Sequence, residues 1–525
     1  MKEFAFRSQA RLVIACATCL VFTLAFAATP TSEMIDQSVR RAMEAFDAPG
    51  VTVAVVYDGE VYYAAGHGVV EAGSSKQVDD ETLFHIGSVS KAFTAAALAI
   101  LADEGKLAWD DQVIDYLPEF RMHDPWVTRE FTIRDLLTHR SGLPLGAGDL
   151  LMFPDATSTP ADIIRGLRYL EPATSFRSEF AYDNLLYVVA GELVARVSGM
   201  PFESFLEQRL LEPLGMTDCA ATVGRAARGA DIATPHMLVN GELQTTGTGM
   251  TDLVAAAGGI VCSARGMAHW MLFVLNEGET GDGRRLISEE QFAELIKPAT
   301  LRATPGVFAK YAGAYLSAYA LGWGVSTFYG QPMLSHSGGV LGMTTYLAVL
   351  PRQNLAVFAS NNQMSSAAAA VVNDIVDQFL RDAGQGVGQD WIALLGQATA
   401  ERQAAADEAV AAAWASRNAD SRPSLPLDAY AGTYRDAWYG DIRISVQDGT
   451  LWFYSGRSEP LRGPLEHFQY DTFVARWSDR RLMADAYVSF VLSPEGRVER
   501  IRMKAESPAT DFSFDFHDLD LQRVD

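Results

Sequence analysis

Apolar residues at positions 35, 39, 42 and 46 recur every three or four places. That spacing predicts an amphipathic helix over 33–46, with Ser32 as its cap. The period then changes. Positions 51–57 and 60–65 read as strands, and Asp58-Gly59 between them is a hairpin turn signal. From about 84 to 320 the pattern is mostly helical with long loops, punctuated at Gly142-Leu143-Pro144 and Pro213-Leu214-Gly215. Strand-like runs return near 322–329, 343–350 and 354–360, and a helix near 365–382 closes this unit. Strands at both ends and helices between them predict an α+β fold. One antiparallel sheet is assembled from distant segments, flanked by helices and interrupted by a helical insertion.

Residues 391–416 are rich in alanine and charge and read as a connecting helix, followed by a linker at Arg422-Pro423-Ser424-Leu425-Pro426. Beyond it, runs at 442–446, 451–454, 473–477, 487–492 and 498–503 alternate as short strands do, with turns at Asp448-Gly449 and Pro494-Glu495-Gly496. That pattern predicts a small all-β barrel or sandwich. The expected division is 1–27, 28–385, 386–425 as connector and linker, and 426–525.

The first of these segments is a targeting signal. Lys2, Arg7 and Arg11 precede an apolar run from 12 to 26, and Ala25-Phe26-Ala27 gives a small-x-small site. Cleavage is expected after Ala27, which makes the protein periplasmic or secreted, with no stable membrane anchor. The net charge of −23 argues against nucleic acid as a partner, because phosphate binding needs a basic face. Cys16 and Cys19 fall in the signal, so their C-x-x-C spacing carries no redox or zinc reading. Cys219 and Cys262 remain, either as a disulfide or as two thiols. The nine histidines form no zinc-binding pattern, and no metal or cofactor is expected.

Three short motifs carry chemistry. In Gly87-Ser88-Val89-Ser90-Lys91, Ser88 and Lys91 lie three apart at the start of an apolar-periodic helix, so the amine comes near the hydroxyl. A serine hydroxyl becomes a nucleophile when a base takes its proton and nearby positive charge favours the alkoxide. In Tyr182-Asp183-Asn184, a tyrosine beside Lys91 could be lowered far enough to move the Ser88 proton, and Asn184 could donate to a substrate carbonyl. In His336-Ser337-Gly338-Gly339, a glycine-rich strand edge admits a substrate backbone, while His336 binds a carboxylate or tunes Tyr182. His85-Ile86-Gly87 has the same spacing but reads as structural.

In this order and spacing the motifs resemble the signatures of serine β-lactamases and penicillin-recognising peptidases. Three further segments are similar to the class C-type branch: Phe84-His85-Ile86-Gly87-Ser88, Leu136-Leu137-Thr138-His139-Arg140-Ser141-Gly142-Leu143-Pro144, and Leu321-Gly322-Trp323-Gly324. The likeness covers about residues 30–385. It implies an acyl-enzyme on Ser88, with proton work shared by Lys91 and Tyr182, and an oxyanion hole from the Ser88 and Gly339 backbone N–H groups. Asn184, His336, Ser337 and Gly338 would line the substrate. Pro426-Leu427-Asp428-Ala429-Tyr430-Ala431-Gly432-Thr433-Tyr434 and Leu465-Glu466-His467-Phe468 resemble the lipocalin-like domain attached to some of these hydrolases. In related D-amino-acid peptidases such a barrel covers the active-site mouth of its own or a neighbouring subunit, so a homo-oligomer is compatible with the resemblance.

Two departures shape the substrate expectation. His336 stands where antibiotic-hydrolysing class C enzymes have lysine, and Gly146 where they carry an amide-binding glutamine. Both argue against a true β-lactamase, and the histidine resembles DD-peptidases, D-aminopeptidases and related esterases. A peptidase acting on D-residue or cell-wall peptides is the leading expectation, a carboxylesterase next, a β-lactamase third and a non-catalytic penicillin sensor last. If His336 is cationic and holds a substrate carboxylate, affinity should fall above about pH 7.

Overall fold

A computed structural model describes residues 29–524; the expected signal peptide lies outside the described residues. The first helix, Ser32–Phe46, buries Ile35, Val39, Ala42 and Phe46 as its periodicity requires. Its cap is Thr31, one residue earlier than expected, whose side chain accepts from the Met34 N–H.

The main sheet has eight strands, all paired antiparallel. Their order is Glu60–Gly68, Gly50–Tyr57, Leu355–Asn361, Met343–Leu350, Gln331–Val340, Gly324–Phe328, Ser317–Tyr319 and Thr300–Leu301. Both faces of its centre are covered. Val51, Val53, Val55, Val357 and Ala359 pack with the Ser32–Phe46 and Ala367–Asp382 helices. Ala54, Val56, Ala356 and Phe358 point the other way, into the core shared with the Ser90–Asp103 helix. Two-sided burial is why these strands read as nearly unbroken apolar runs.

The Gln331–Val340 strand departs from the sequence expectation, which put His336 in the approach to the next strand. Pro332, Gly338 and Gly339 mask it, since proline and glycine are poor strand formers. The Ser90–Asp103 helix is buried around nearly its whole circumference, so it reads as continuously apolar.

A disulfide joins Cys219 to Cys262. Cys262 belongs to the short strand that pairs with Phe84–His85, and Ile86 donates to the Ile260 carbonyl at 3.0 Å. The disulfide thus braces the segment leading into Ser88.

The Trp391–Ser416 helix leads to the C-terminal unit, whose eight strands close into an antiparallel barrel. Closure comes from pairing Gly432–Asp436 with Asp520–Arg523. Strands at Gly432–Asp436, Arg462–Gln469 and Asp520–Arg523 complete the set anticipated from sequence. The barrel packs on the first unit. Thr157 N–H donates to the Arg457 carbonyl at 3.0 Å, and the Ser458 hydroxyl to the Pro154 carbonyl at 2.5 Å.

Candidate active site

Residues 87–89 form a short 3₁₀ turn that runs directly into the Ser90–Asp103 helix. Gly87 and Val89 are buried while Ser88 is partly open to a cleft of about 1330 Å³. Gly87 has φ +51, and a β-carbon on it would fall 2.5 Å from the Gly339 nitrogen. At Gly338 a β-carbon would lie 2.0 Å from the Ile86 carbonyl oxygen. Glycine at both positions lets the third motif's strand press against the nucleophile segment.

Lys91 is fully buried. Its Nζ lies 3.0 Å from Ser88 Oγ, 2.7 Å from Asn184 Oδ1 and 2.7 Å from the Ala257 carbonyl oxygen. Burial pushes its pKa down to about 7, against the opposing influence of Asp149 and Asp183. As an ammonium, Lys91 can donate to all three oxygens; the same geometry also orients the amine once it is neutral. Its two N–H bonds are taken by the two acceptors at 2.7 Å, which leaves the lone pair for the Ser88 hydroxyl.

Tyr182 lies beside this group, with Lys91 Nζ 4.9 Å from its ring centroid. Its hydroxyl is buried without a formed hydrogen bond. Burial first, and Tyr319 second, raise its pKa well above that of a free phenol, with Ser88 a smaller opposing influence. This corrects the expectation that nearby cations lower it; loss of solvent outweighs them. Asn184 also differs from expectation. Its Oδ1 accepts from Lys91 and its Nδ2 donates to Asp149 Oδ2 at 2.8 Å, so the amide is engaged in holding the lysine.

His336 is 6 % exposed, and both ring nitrogens are occupied. Nδ1 lies 2.6 Å from the Ser337 carbonyl oxygen, so it carries the proton. Nε2, at 2.8 Å, therefore accepts from the Tyr319 hydroxyl. Burial, reinforced by Lys91, pushes its pKa down to about 3. The cationic carboxylate-binding role expected of His336 is therefore not met. Strand alternation turns Ser337 and Gly339 outward and packs His336 and Gly338. A side chain at Gly339 would meet open space.

The Thr138–Pro144 segment holds the tyrosine loop rather than the substrate. His139 Nδ1 accepts from the Asp183 N–H at 3.1 Å, and its carbonyl accepts from the Ala181 N–H at 2.9 Å. Arg140 and Arg177 both bind the buried Asp135 carboxylate, at 2.9 and 2.5 Å.

Sequence reasoning missed Arg302, Asp149 and Phe512. Arg302 lines the cleft with Ser88, Tyr182 and His336. Its Nε donates to Ser317 Oγ at 2.9 Å, and it has no ion-pair partner among the described residues. Phe512 comes from the barrel unit, with its ring centroid 5.9 Å from that of Tyr182. A β-carbon at Gly146 would fall 2.6 Å from the Phe512 carbonyl oxygen and 2.8 Å from its ring. The barrel thus occupies the space beside the position where the class C resemblance expects a glutamine. The glycine at 146 was the one available signal.

The profile of the Beta-lactamase family matches residues 35–380, and a second, described as a Domain of unknown function (DUF3471), matches 416–523. The chain is 26% identical over 496 residues to "Unguisins hydrolase ungD" of Aspergillus violaceofuscus, covering 89% of this chain and 87% of that one. Among solved structures, an octameric penicillin-binding protein homologue from Pyrococcus abyssi is similar with a TM-score of 0.59 and 22% identity. The match covers 90% of this chain and 97% of that one. The structure of SurE with D-Leu is similar with a TM-score of 0.52 and 19% identity, covering 94% and 99% respectively.

Proposed function

The chain belongs to the Beta-lactamase family, and from that premise we propose that it is an exported serine hydrolase acting on amide bonds of peptides that contain D-residues. The observation that carries this reading is the buried Lys91 amine 3.0 Å from Ser88 Oγ, with its other partners directing the lone pair at the hydroxyl. Lys91 takes the Ser88 proton as Oγ bonds to the substrate carbonyl carbon. The Ser88 and Gly339 N–H groups receive the developing oxyanion. Tyr182, whose raised pKa disfavours a standing phenolate, passes its proton to the leaving amine as it takes the proton held by Lys91, so it ends the step as a phenol and Lys91 as a neutral amine. Water then repeats the sequence on the acyl-enzyme and frees Ser88.

Arg302 replaces His336 as the group for a substrate carboxylate, being the cationic side chain that lines the cleft among the described residues. The D-residue preference draws on the SurE relative that binds D-Leu. Export rests on the 1–27 segment and is supported by the Cys219–Cys262 disulfide, which suits an oxidising compartment. A homo-oligomer is part of the proposal because the Pyrococcus abyssi relative is octameric. Carboxylester cleavage is the second reading, favoured by a cleft wall of Met152, Phe153, Phe180, Met250 and Phe512.

The test is intact mass over time with peptides ending in a D-residue, as free acid and as amide, and with a chromogenic cephalosporin, beside Ser88→Ala. Turnover of the free acid, with a transient adduct absent from the variant, is the expected result. Rapid cephalosporin turnover with inert peptides would replace the peptidase reading by a β-lactamase.

A further inference from the structure

Asn184 is the only side-chain amide that touches Lys91 among the described residues, and an amide has two faces. With Oδ1 toward Lys91 it accepts an N–H and leaves the amine's lone pair for Ser88. Turned over, it would offer N–H groups to the amine and compete with Ser88 for that lone pair. What fixes the face is Asp149. Its Oδ2 accepts from Asn184 Nδ2 at 2.8 Å, its side chain is completely buried, and its Oδ1 is buried with no hydrogen-bond partner.

Asp149 is itself held from the other domain. The buried Asp515, which follows the Phe512 segment, accepts from the Gly148 N–H at 2.6 Å and the Leu150 N–H at 3.1 Å, the two residues flanking Asp149. A continuous line therefore runs from Asp515 of the barrel through the 148–150 backbone to Asp149, then Asn184 and Lys91.

We propose that Asp149, clamped by Asp515, is a positioning residue that fixes the Asn184 amide and thereby aims the Lys91 lone pair at Ser88. This inference rests on the reading of Lys91 as the base given above. Burial raises the Asp149 pKa well above the carboxylate range, and Asp183 adds to the shift, while Asn184, Ser513 and Lys91 oppose it. Its Oδ2 is the acceptor that Asn184 Nδ2 requires. The other titratable groups facing Lys91 are Asp183, Tyr182, Tyr187, His139 and His336.

Asparagine keeps an acceptor oxygen for the Asn184 amide, so the geometry predicts rescue by Asp149→Asn. Asp149→Asn is expected to keep kcat within about threefold and to leave the pH midpoint of kcat/KM in place. Asp149→Leu should lose about 100-fold in kcat at unchanged KM, the size typical of a misaligned general base. Asp515→Asn, which gives up one of two acceptors, should lower kcat in the same sense and less. Equal damage from Asp149→Asn and Asp149→Leu would overturn the proposal, as would full activity in a folded Asp149→Leu. A crystal structure of Asp149→Leu gives a readout independent of turnover, with Asn184 Oδ1 expected to leave Lys91; an unmoved Asn184 overturns the inference. If Asp149→Leu does not fold, the same displacement is sought in Asp515→Asn. Should wild type fail to acylate at Ser88 with any ester or amide, the hydrolase reading falls. The position of Asn184 still decides this one.

Discussion

Lys91 and His336 are both buried cations-in-waiting beside Ser88, and burial drives both toward their neutral forms. For Lys91 this creates a base at neutral pH; for His336 it removes a charge. The consequences differ in sign along the pH axis. Below about 7 Lys91 is an ammonium and cannot take the Ser88 proton, so kcat/KM should fall about tenfold per pH unit there and level off above it. His336, with its pKa at about 3, does not titrate in the working range, so KM for a carboxylate substrate should stay flat between about pH 5.5 and 8.5. A pH–rate series on one D-peptide checks both, and a KM that climbs through pH 7 would restore charge to His336. The motifs named Ser88, Lys91, Tyr182 and His336 from sequence because their spacing is local. Their protonation states were not legible, since those depend on solvent excluded by segments hundreds of residues away.

At the scale of elements, the approach to Ser88 depends on two short contacts. One is the ribbon between Phe84–His85 and Val261–Cys262; the other is the close pass of Gly87 and Gly338. The ribbon is only two residues long and gains its rigidity from the Cys219–Cys262 disulfide. The cystines lie 43 residues apart, and closing such a loop restricts the unfolded chain by about 4 kcal/mol. The Cys219→Ala, Cys262→Ala double variant should therefore lose about 2–4 kcal/mol in urea unfolding, and should lose activity at temperatures where the wild type is stable. No change in the unfolding midpoint would show that the surrounding core alone holds the segment. Helices and most strands were legible because their burial leaves a period in the sequence, as Val51, Val53 and Val55 illustrate. The Gln331–Val340 strand was not, because the glycines that let it approach Ser88 erase its strand signature. The pairing of the two cysteines likewise depends on tertiary placement that spacing does not reveal.

In the whole molecule, the barrel is a working wall of the cleft. Phe512 reaches Tyr182, Ser513 and Phe514 line the same space, and Asp515 grips the 148–150 turn. The resemblance suggested a barrel at the active-site mouth, but the residues that form the wall were not legible, because a segment such as Asp511-Phe512-Ser513 carries no periodic signal and its partners lie more than three hundred positions earlier. The placement bears on substrate size. Phe512 is 38 % exposed and stands over Gly146, so it bounds the cleft on that side without belonging to the core. Removing its ring opens volume there without touching Ser88, Lys91 or Asn184. One methylene more or less in an apolar pocket is worth about 1–3 kcal/mol, or 10- to 200-fold in discrimination. Phe512→Ala should therefore raise kcat/KM for bulky acyl groups by about tenfold relative to small ones such as acetyl, while the melting temperature shifts little. Gly146→Ala should disturb the same wall by another route: at φ +72 the added carbon is strained and would fall 2.6 Å from the Phe512 carbonyl oxygen, forcing the barrel segment outward, so the size preference should shift in the same sense with a lower melting temperature. A matched series of acyl esters of rising size, run on both variants, separates the outcomes. If Phe512→Ala changes every ester by the same factor, the segment is a brace and not a gauge of substrate size. If the size preference alone changes, the barrel sets what the hydrolase accepts.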